Sequence, residues 1–198
     1  ALIMVHGDDK GLRLPPKVAP IQIVIIPIIK NDDNLITIRS FLKSFIHELE
    51  EKNIRHQLDD RIKISPGFKF NEWEMKGVPI RVEIGSRDME AKTLFCVRRD
   101  TGEKQPYKLD SAANDLDQLL NKIQENMFTQ ALEFRESNTR IAINYNEFKA
   151  IIKSGGFIRC GWDGETASEI AIKTETKATI RFILPNEIEK KKKCIYSG

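Results

Sequence analysis

A chain of 198 residues, 40% hydrophobic and 31% charged, is long enough for one large domain or two small ones, each with a real core. Its net charge of +3 is too small to name a partner by itself, so only the distribution of charge is informative. No apolar run nears the ~20 residues of a membrane span, no cleavable leader pattern opens the chain, and Cys96, Cys160 and Cys194 are too scattered for a disulfide framework, which points to a reducing, cytoplasmic setting.

Leu2 to Val5 reads as an apolar strand that starts without a lead-in, so the chain reads as a piece of a longer protein. His6-Gly7-Asp8-Asp9-Lys10-Gly11 is a polar turn, and Pro15-Pro16 forces an extended link. Ile21 to Ile26 is a β-branched run, expected to be a buried strand. Asp32-Asp33-Asn34 offers N-cap chemistry for a helix whose apolar face is Ile38, Phe41, Leu42, Phe45 and Leu49. Asn53 can end that helix, and Ile54 to Leu58 reads as a second strand.

Ser65-Pro66-Gly67 breaks the chain before a short helix over Phe68 to Met75, which Gly77 stops. Pro79 to Ile84 and Leu94 to Arg98 read as strands, and Asp100-Thr101-Gly102-Glu103 as a hairpin turn. A long helix follows from about Ser111, with Leu116, Leu119, Leu120, Ile123, Met127, Ala131 and Phe134 on one face. Alternating strands and helices predict an α/β fold with a central mixed sheet flanked by helices. Beyond Ser137-Asn138-Thr139 the elements shorten. Strands are expected at Arg140 to Asn144, Phe157 to Cys160 and Thr179 to Leu184, with helices at Asn146 to Lys153 and Ala167 to Lys173. This is a small α+β appendage.

Charge changes sign along the chain. Arg61 to Lys108 holds 11 Lys and Arg against 7 Asp and Glu, whereas Leu109 to Thr139 holds 2 against 6. A partner of the first segment is anionic, unless the bias is ordinary surface charge. Within it, Ser65 to Asp88 interleaves aromatics, carboxylates and basic residues around Gly77-Val78-Pro79. That mixture suits a surface that stacks and hydrogen-bonds unpaired bases.

Together with His6-Gly7-Asp8-Asp9-Lys10-Gly11-Leu12-Arg13-Leu14-Pro15-Pro16-Lys17, Val97-Arg98-Arg99-Asp100-Thr101-Gly102-Glu103 and Thr176-Lys177-Ala178-Thr179-Ile180-Arg181, this segment resembles prolyl-tRNA synthetase of the archaeal and eukaryote-like type. The resemblance extends over nearly the whole chain. It implies the tail of a class II catalytic domain at residues 1–19, an anticodon-binding domain at 20–138 and a carboxy-terminal, zinc-binding-like domain at 139–198. It also implies a complete enzyme, dimeric through its catalytic domain, that activates proline with ATP and transfers it to tRNA(Pro). This portion would recognise the anticodon without being catalytic alone.

The family's proline anticodons end in two guanines. Each guanine edge needs a carboxylate for its N1 and N2 donors, an Arg or Lys for O6 and N7, and an aromatic to stack on. The resemblance puts Glu74 and Asp88 as carboxylate readers, Arg81 and Arg87 as basic partners and Phe70 as the stacking platform. Packing of Phe68, Phe70 and Trp73 and a solvent-facing Glu74–Arg81 pair are the plainer readings. Lys63, Lys69 and Lys76 are candidate phosphate contacts.

Zinc-bearing members use a C-x4-C pair and a C-x2-C pair, so that thiolates close a tetrahedron. Here Cys160 opens the first pair, but the second position falls among Glu165, Thr166 and Ser168. Cys194 opens the second pair, which ends in Ser197. The expectation is no tightly bound zinc, with the loop Gly161 to Glu165 packing Trp162 inward in its place. His6, His47 and His56 show no ligand spacing, and Lys190 to Lys193 reads as a solvated run with tRNA backbone contact as the weaker alternative.

No phosphate-loop, serine-elbow or HExxH pattern is present, and ATP-binding arginines would precede Ala1. His6 to Asp9 reads as the residual edge of an active site, or simply as a tight turn. Two rivals remain: another class II synthetase with the same anticodon-binding fold, and a freestanding RNA- or protein-binding module derived from a synthetase. Thr176 to Arg181 argues against the first, and Ala1 to Pro16 against the second.

Overall fold

The computed structural model describes residues 1–28, 32–184 and 193–198, with the side chains of residues 32–34 also outside the description. The chain divides into two units, Ala1–Gln130 and Ala131–Gly198. The first holds α1 (Leu2–His6), β1 (Ile23–Pro27), α2 (Asp32–Glu51), β2 (His56–Leu58), α3 (Pro66–Met75), β3 (Ile80–Ile84), α4 (Ser86–Ala91), β4 (Thr93–Arg98), β5 (Lys104–Lys108) and most of α5 (Ala112–Ser137). The unit boundary falls inside α5, earlier in the chain than Ser137-Asn138-Thr139.

A five-stranded mixed sheet in the order β2-β1-β3-β4-β5 organises the first unit. β1 runs parallel to β2 and β3, while β4 and β5 return antiparallel. One face carries Ile23, Ile25, Ile80, Val82, Ile84, Leu94 and Cys96, all buried beneath α2 and α5. α2 contributes Ile38, Leu42, Phe45 and Leu49, each no more than 1% exposed. At ~1.5–3 kcal/mol per buried side chain, this stripe rather than intrinsic propensity holds the helix. α2 ends where Asn53 takes φ 55°, the left-handed turn that asparagine tolerates. The N-cap expected at Asp32-Asp33-Asn34 lies outside the described side chains.

α3 covers part of the opposite face, where Val24, Ile26, Trp73 and Val78 form a smaller core. Ser65, expected only as part of a chain break, is its N-cap, with Pro66 preorganising the first turn. α4 is an element that the sequence pattern does not announce, and it starts within two residues of the end of β3.

Leu2 to Val5 is corrected from strand to helix. No described strand pairs with it, so its backbone closes locally through Val5 N–H to Ala1 O and Gly7 N–H to Ile3 O. Phe134, placed on the buried face of α5, is 70% exposed, because the buried stripe of that helix ends at Met127.

In the second unit β6 (Thr139–Ile141) and β7 (Phe157–Arg159) pair in parallel across α6 (Tyr145–Lys153), and α7 (Thr166–Thr176) follows. Ala142, Phe148 and Ile195 form its small core. Thr179 to Leu184, expected as a strand, pairs with no described strand and leaves Phe182 exposed. Lys190 to Lys192 lie outside the described residues, and Lys193 is exposed. No described helix is long and apolar enough to cross a membrane.

Candidate nucleic-acid interface

The sheet face that α3 covers only partly is the polar one. Strand alternation turns Ile80, Val82 and Ile84 inward and leaves Arg81 and Glu83 on this side. Register places Val24, Arg81, Val97 and Lys104 in one row across the strands, and Ile26, Glu83, Phe95 and Pro106 in the next. Sequence reasoning does not single out Glu83, Phe95 or Lys104. Their period-two spacing from Arg81, and the hairpin that brings Lys104 opposite Val97, are the signals that could have found them.

Phe70 projects from α3 onto this face. The Arg81 guanidinium carbon stands 4.3 Å from the centre of its ring. Glu83 grips the same guanidinium, accepting from Nε at 2.9 Å and pairing with the Nη2 end at 2.8 Å. An arginine has five N–H donors, so this grip fixes the fork and still leaves donors for a base edge. The plainer reading pairs Arg81 with Glu74, but Glu74 pairs with Lys10 at 3.3 Å instead. That lysine is 69% exposed, so the contact is weak and exchangeable. Glu74 and Arg81 nevertheless line one cleft of about 240 Å³, together with Lys10, Arg99 and Lys104.

The segment before the sheet is pinned to the same corner. Arg99 donates to both Asp8 carboxylate oxygens at 2.8 and 2.6 Å, and its Nε donates to the Glu74 carbonyl at 2.9 Å. The Arg99 hydrogen bonds hold the Asp8 carboxyl down at about 2, against a smaller opposing effect of burial. Leu12 N–H to Met75 O and Leu14 N–H to Gly77 O lay the segment along the end of α3.

Residues 22–126 match the family model described as an anticodon binding domain. The chain belongs to the anticodon-binding domain family. Residues 145–198 match a second model, described as the carboxy-terminal region of prolyl-tRNA synthetase. Among curated relatives, a "Proline--tRNA ligase" from Rubrobacter xylanophilus is 49% identical over 97% of this chain. Those of Cytophaga hutchinsonii and Prosthecochloris aestuarii are 48% and 46% identical over 92% and 100% of it. The chain spans 42%, 38% and 40% of the lengths of the Prosthecochloris, Cytophaga and Rubrobacter proteins.

On this anticodon-binding unit the remaining expected residues separate. Arg87 and Asp88 lie in the first turn of α4, beyond the carboxyl end of β3, about 10 Å of strand from Arg81. Arg87 is exposed. Asp88 accepts from the Gly85 N–H at 2.8 Å and so caps its own helix. Lys76 is exposed, paired with Glu72 at 2.7 Å and lying 4.3 Å from the centre of the Trp73 ring. Lys63 is exposed.

Lys69 is corrected. It is 1% exposed, and its Nζ donates to the Asp59 carbonyl at 2.9 Å, so it has no route to a phosphate. Asp59 is the hub of this buried group, accepting from Arg61 at 2.8 and 2.6 Å and from Trp73 Nε1 at 2.7 Å. Burial pushes its carboxyl up, but the Arg61 and Trp73 hydrogen bonds and the Lys69 charge outweigh this and hold it well below the carboxylate range. Helical spacing explains the position of Lys69, which shares the inward side of α3 with Trp73 at i+4.

At the zinc-like positions of the second unit, Glu165 and Ser197 stand at the spacings of two thiolates. Among the described residues no group of three or more His, Cys, Asp or Glu could hold a metal. Ser197 donates its hydroxyl to Asp163 at 2.7 Å, and Ser168 does the same at 2.7 Å. The residues at these positions do not fit a tetrahedral zinc. Trp162, expected to pack inward as a substitute, is half-buried and donates to the Glu165 carbonyl at 3.3 Å.

Proposed function

We propose that this chain is the anticodon-reading portion of a proline–tRNA ligase. The observation that carries the reading is the Phe70–Arg81–Glu83 stack beside the Glu74 cleft. An aromatic face, a clamped guanidinium and an available carboxylate are what a guanine edge requires. Glu74 would accept from N1 and N2 of one guanine, Arg81 would donate to O6 and N7, and Phe70 would offer its ring. Arg87 and Asp88 would meet a neighbouring base, and Lys63 and Lys76 the backbone.

Residues 1–19 would be the end of the class II catalytic domain, 20–138 the anticodon-binding domain and 139–198 the carboxy-terminal domain. The complete protein would be a cytoplasmic homodimer. It would form prolyl-adenylate from proline and ATP, outside this portion, and transfer the prolyl group to tRNA(Pro).

The test is binding of this chain to tRNA bearing a proline anticodon, and to the same tRNA with both anticodon guanines replaced, across a salt series. A base reader loses ~1–3 kcal/mol per altered base. Equal affinity for both, falling steeply with salt, would mean phosphate contact alone and would overturn the reading.

A further inference from the structure

The resemblance calls for four cysteines around one metal, and the chain supplies Cys160 and Cys194 with Glu165 and Ser197 at the other spacings. What the structure builds there is a hydrogen-bonded knot. Both hydroxyl groups, from Ser168 and Ser197, meet the same Asp163 oxygen at 2.7 Å, and the Glu165 N–H donates to the other oxygen at 3.0 Å. Ile195 N–H donates to the Gly161 carbonyl at 2.9 Å. Ser168 and Cys194 are buried at the base of this arrangement. The knot therefore joins the same two stretches, 160–165 and 194–197, that a metal would join, and it also reaches the first turn of α7.

We propose that Asp163 is the centre of a metal-free clasp, in which its carboxylate replaces a zinc ion as the cross-link that closes the second unit. A carboxylate can do this because it accepts several hydrogen bonds at once and is charged, so each bond is stronger than a neutral one. A metal ties its ligands by coordination to a shared cation. The clasp ties its donors by convergence on a shared anion. It needs hydroxyl groups where the metal needs thiolates, which gives Ser197 a chemical reason to stand at the spacing of a cysteine. Next to Ser197, the exposed Tyr196 ring meets Tyr145 edge-on at 5.2 Å between centroids.

The test uses the whole 198-residue chain. Zinc content of the native chain is measured after incubation with zinc salt and gel filtration. Amide exchange is then followed at Ile195 and Gly198 in the native chain, in Asp163→Ala and in the milder Ser197→Ala. The proposal expects no stoichiometric zinc. It expects exchange at both amides to quicken about tenfold in Asp163→Ala and by a smaller factor in Ser197→Ala, with the β1 and β3 amides unchanged. Adding Glu165→Cys and Ser197→Cys to Asp163→Ala restores four thiolates, so one zinc per chain should slow the exchange again. Stoichiometric zinc in the native chain would overturn the clasp, and so would unchanged exchange in both Asp163→Ala and Ser197→Ala. Failure of the cysteine variant to take up zinc would show that the knot does not occupy the metal's place.

Discussion

Arg81 lies over the ring of Phe70, with 4.3 Å between guanidinium carbon and ring centroid, while Glu83 holds its Nε and Nη2 atoms at 2.9 and 2.8 Å. A guanidinium held by both a ring and a carboxylate has restricted side-chain freedom. The loss of side-chain freedom that a base contact would otherwise exact is already incurred in the folded chain. The fork is also planar and matches two acceptors at once, as a lysine cannot.

Arg81→Lys should therefore weaken binding to a proline-anticodon tRNA by ~1–3 kcal/mol and leave binding to a guanine-substituted tRNA nearly unchanged. Phe70→Leu keeps an apolar side chain but removes the ring. It should cost both tRNAs, because stacking is tolerant of base identity and is worth ~1–3 kcal/mol per base. Filter binding of the two variants to the two tRNAs separates these outcomes. A loss in Arg81→Lys that is equal for both tRNAs would reduce Arg81 to a phosphate contact.

Acidification should release the Asp8 segment. The Asp8 carboxyl is held at about 2 in the fold by Arg99, below its ordinary 3.8. A carboxylate with a depressed folded value stabilises fully above its unfolded value and loses that contribution as pH falls through the folded one. The window is thus pH ~4 down to ~2. Amide exchange at Leu12 and Leu14, whose N–H groups bond to Met75 and Gly77, should quicken across it after correction for intrinsic rates. Arg99→Ala should abolish that pH dependence. Asp8 is 35% exposed, so the effect should shrink with added salt.

Gly77 is required where it stands. Its φ is +77°, and a Cβ there would meet backbone and side-chain atoms of Leu12 at 2.7 Å. Gly77→Ala should cost ~1–3 kcal/mol in urea unfolding. Gly67 has nothing within 4 Å of the same added atom and sits in the first turn of α3. Gly67→Ala should raise stability by ~0.4–1 kcal/mol, through fewer states in the unfolded chain. A cost at Gly67 equal to that at Gly77 would mean that the close approach of Leu12 is not the cause.

Elements fixed by local pattern are readable from sequence. Ile38, Leu42, Phe45 and Leu49 repeat at helical spacing, and Gly102 takes the φ of +74° that its turn demands. Pairing is less readable. Leu2 to Val5 and Thr179 to Leu184 have strand composition, but a strand needs a neighbour, and composition does not supply one. At the candidate interface, the residue types single out Phe70, Glu74 and Arg81, and the fold sets Phe70 against Arg81 and lines one cleft with Glu74 and Arg81. The partners of Arg81 depend on register between strands distant in sequence, so Glu83 emerges only in the fold. Lys69 reads as a surface residue because a lysine in a basic segment is ordinarily exposed, and only the fold reveals Asp59 beneath it.

That buried group gives the sharpest contrast between packing and recognition. Asp59 is 2% exposed and receives Arg61, Trp73 and Lys69. Asp59→Ala strands a lysine that is itself 1% exposed, and an uncompensated buried charge costs ~3–5 kcal/mol. Trp73→Phe keeps most of the packing and removes one hydrogen bond to a charged acceptor, at ~1.5–3 kcal/mol. Lys69→Met removes the buried cation and fills its space, while Arg61 and Trp73 still satisfy the carboxylate. It should therefore cost less than Asp59→Ala in urea unfolding. The same Lys69→Met variant should leave the salt dependence of tRNA binding unchanged, whereas Lys76→Met or Lys63→Met should lower the slope by about 1 for each phosphate the side chain neutralises. A reduced slope in Lys69→Met would require the lysine to leave Asp59 when tRNA binds, and would show that the buried group opens in the complex.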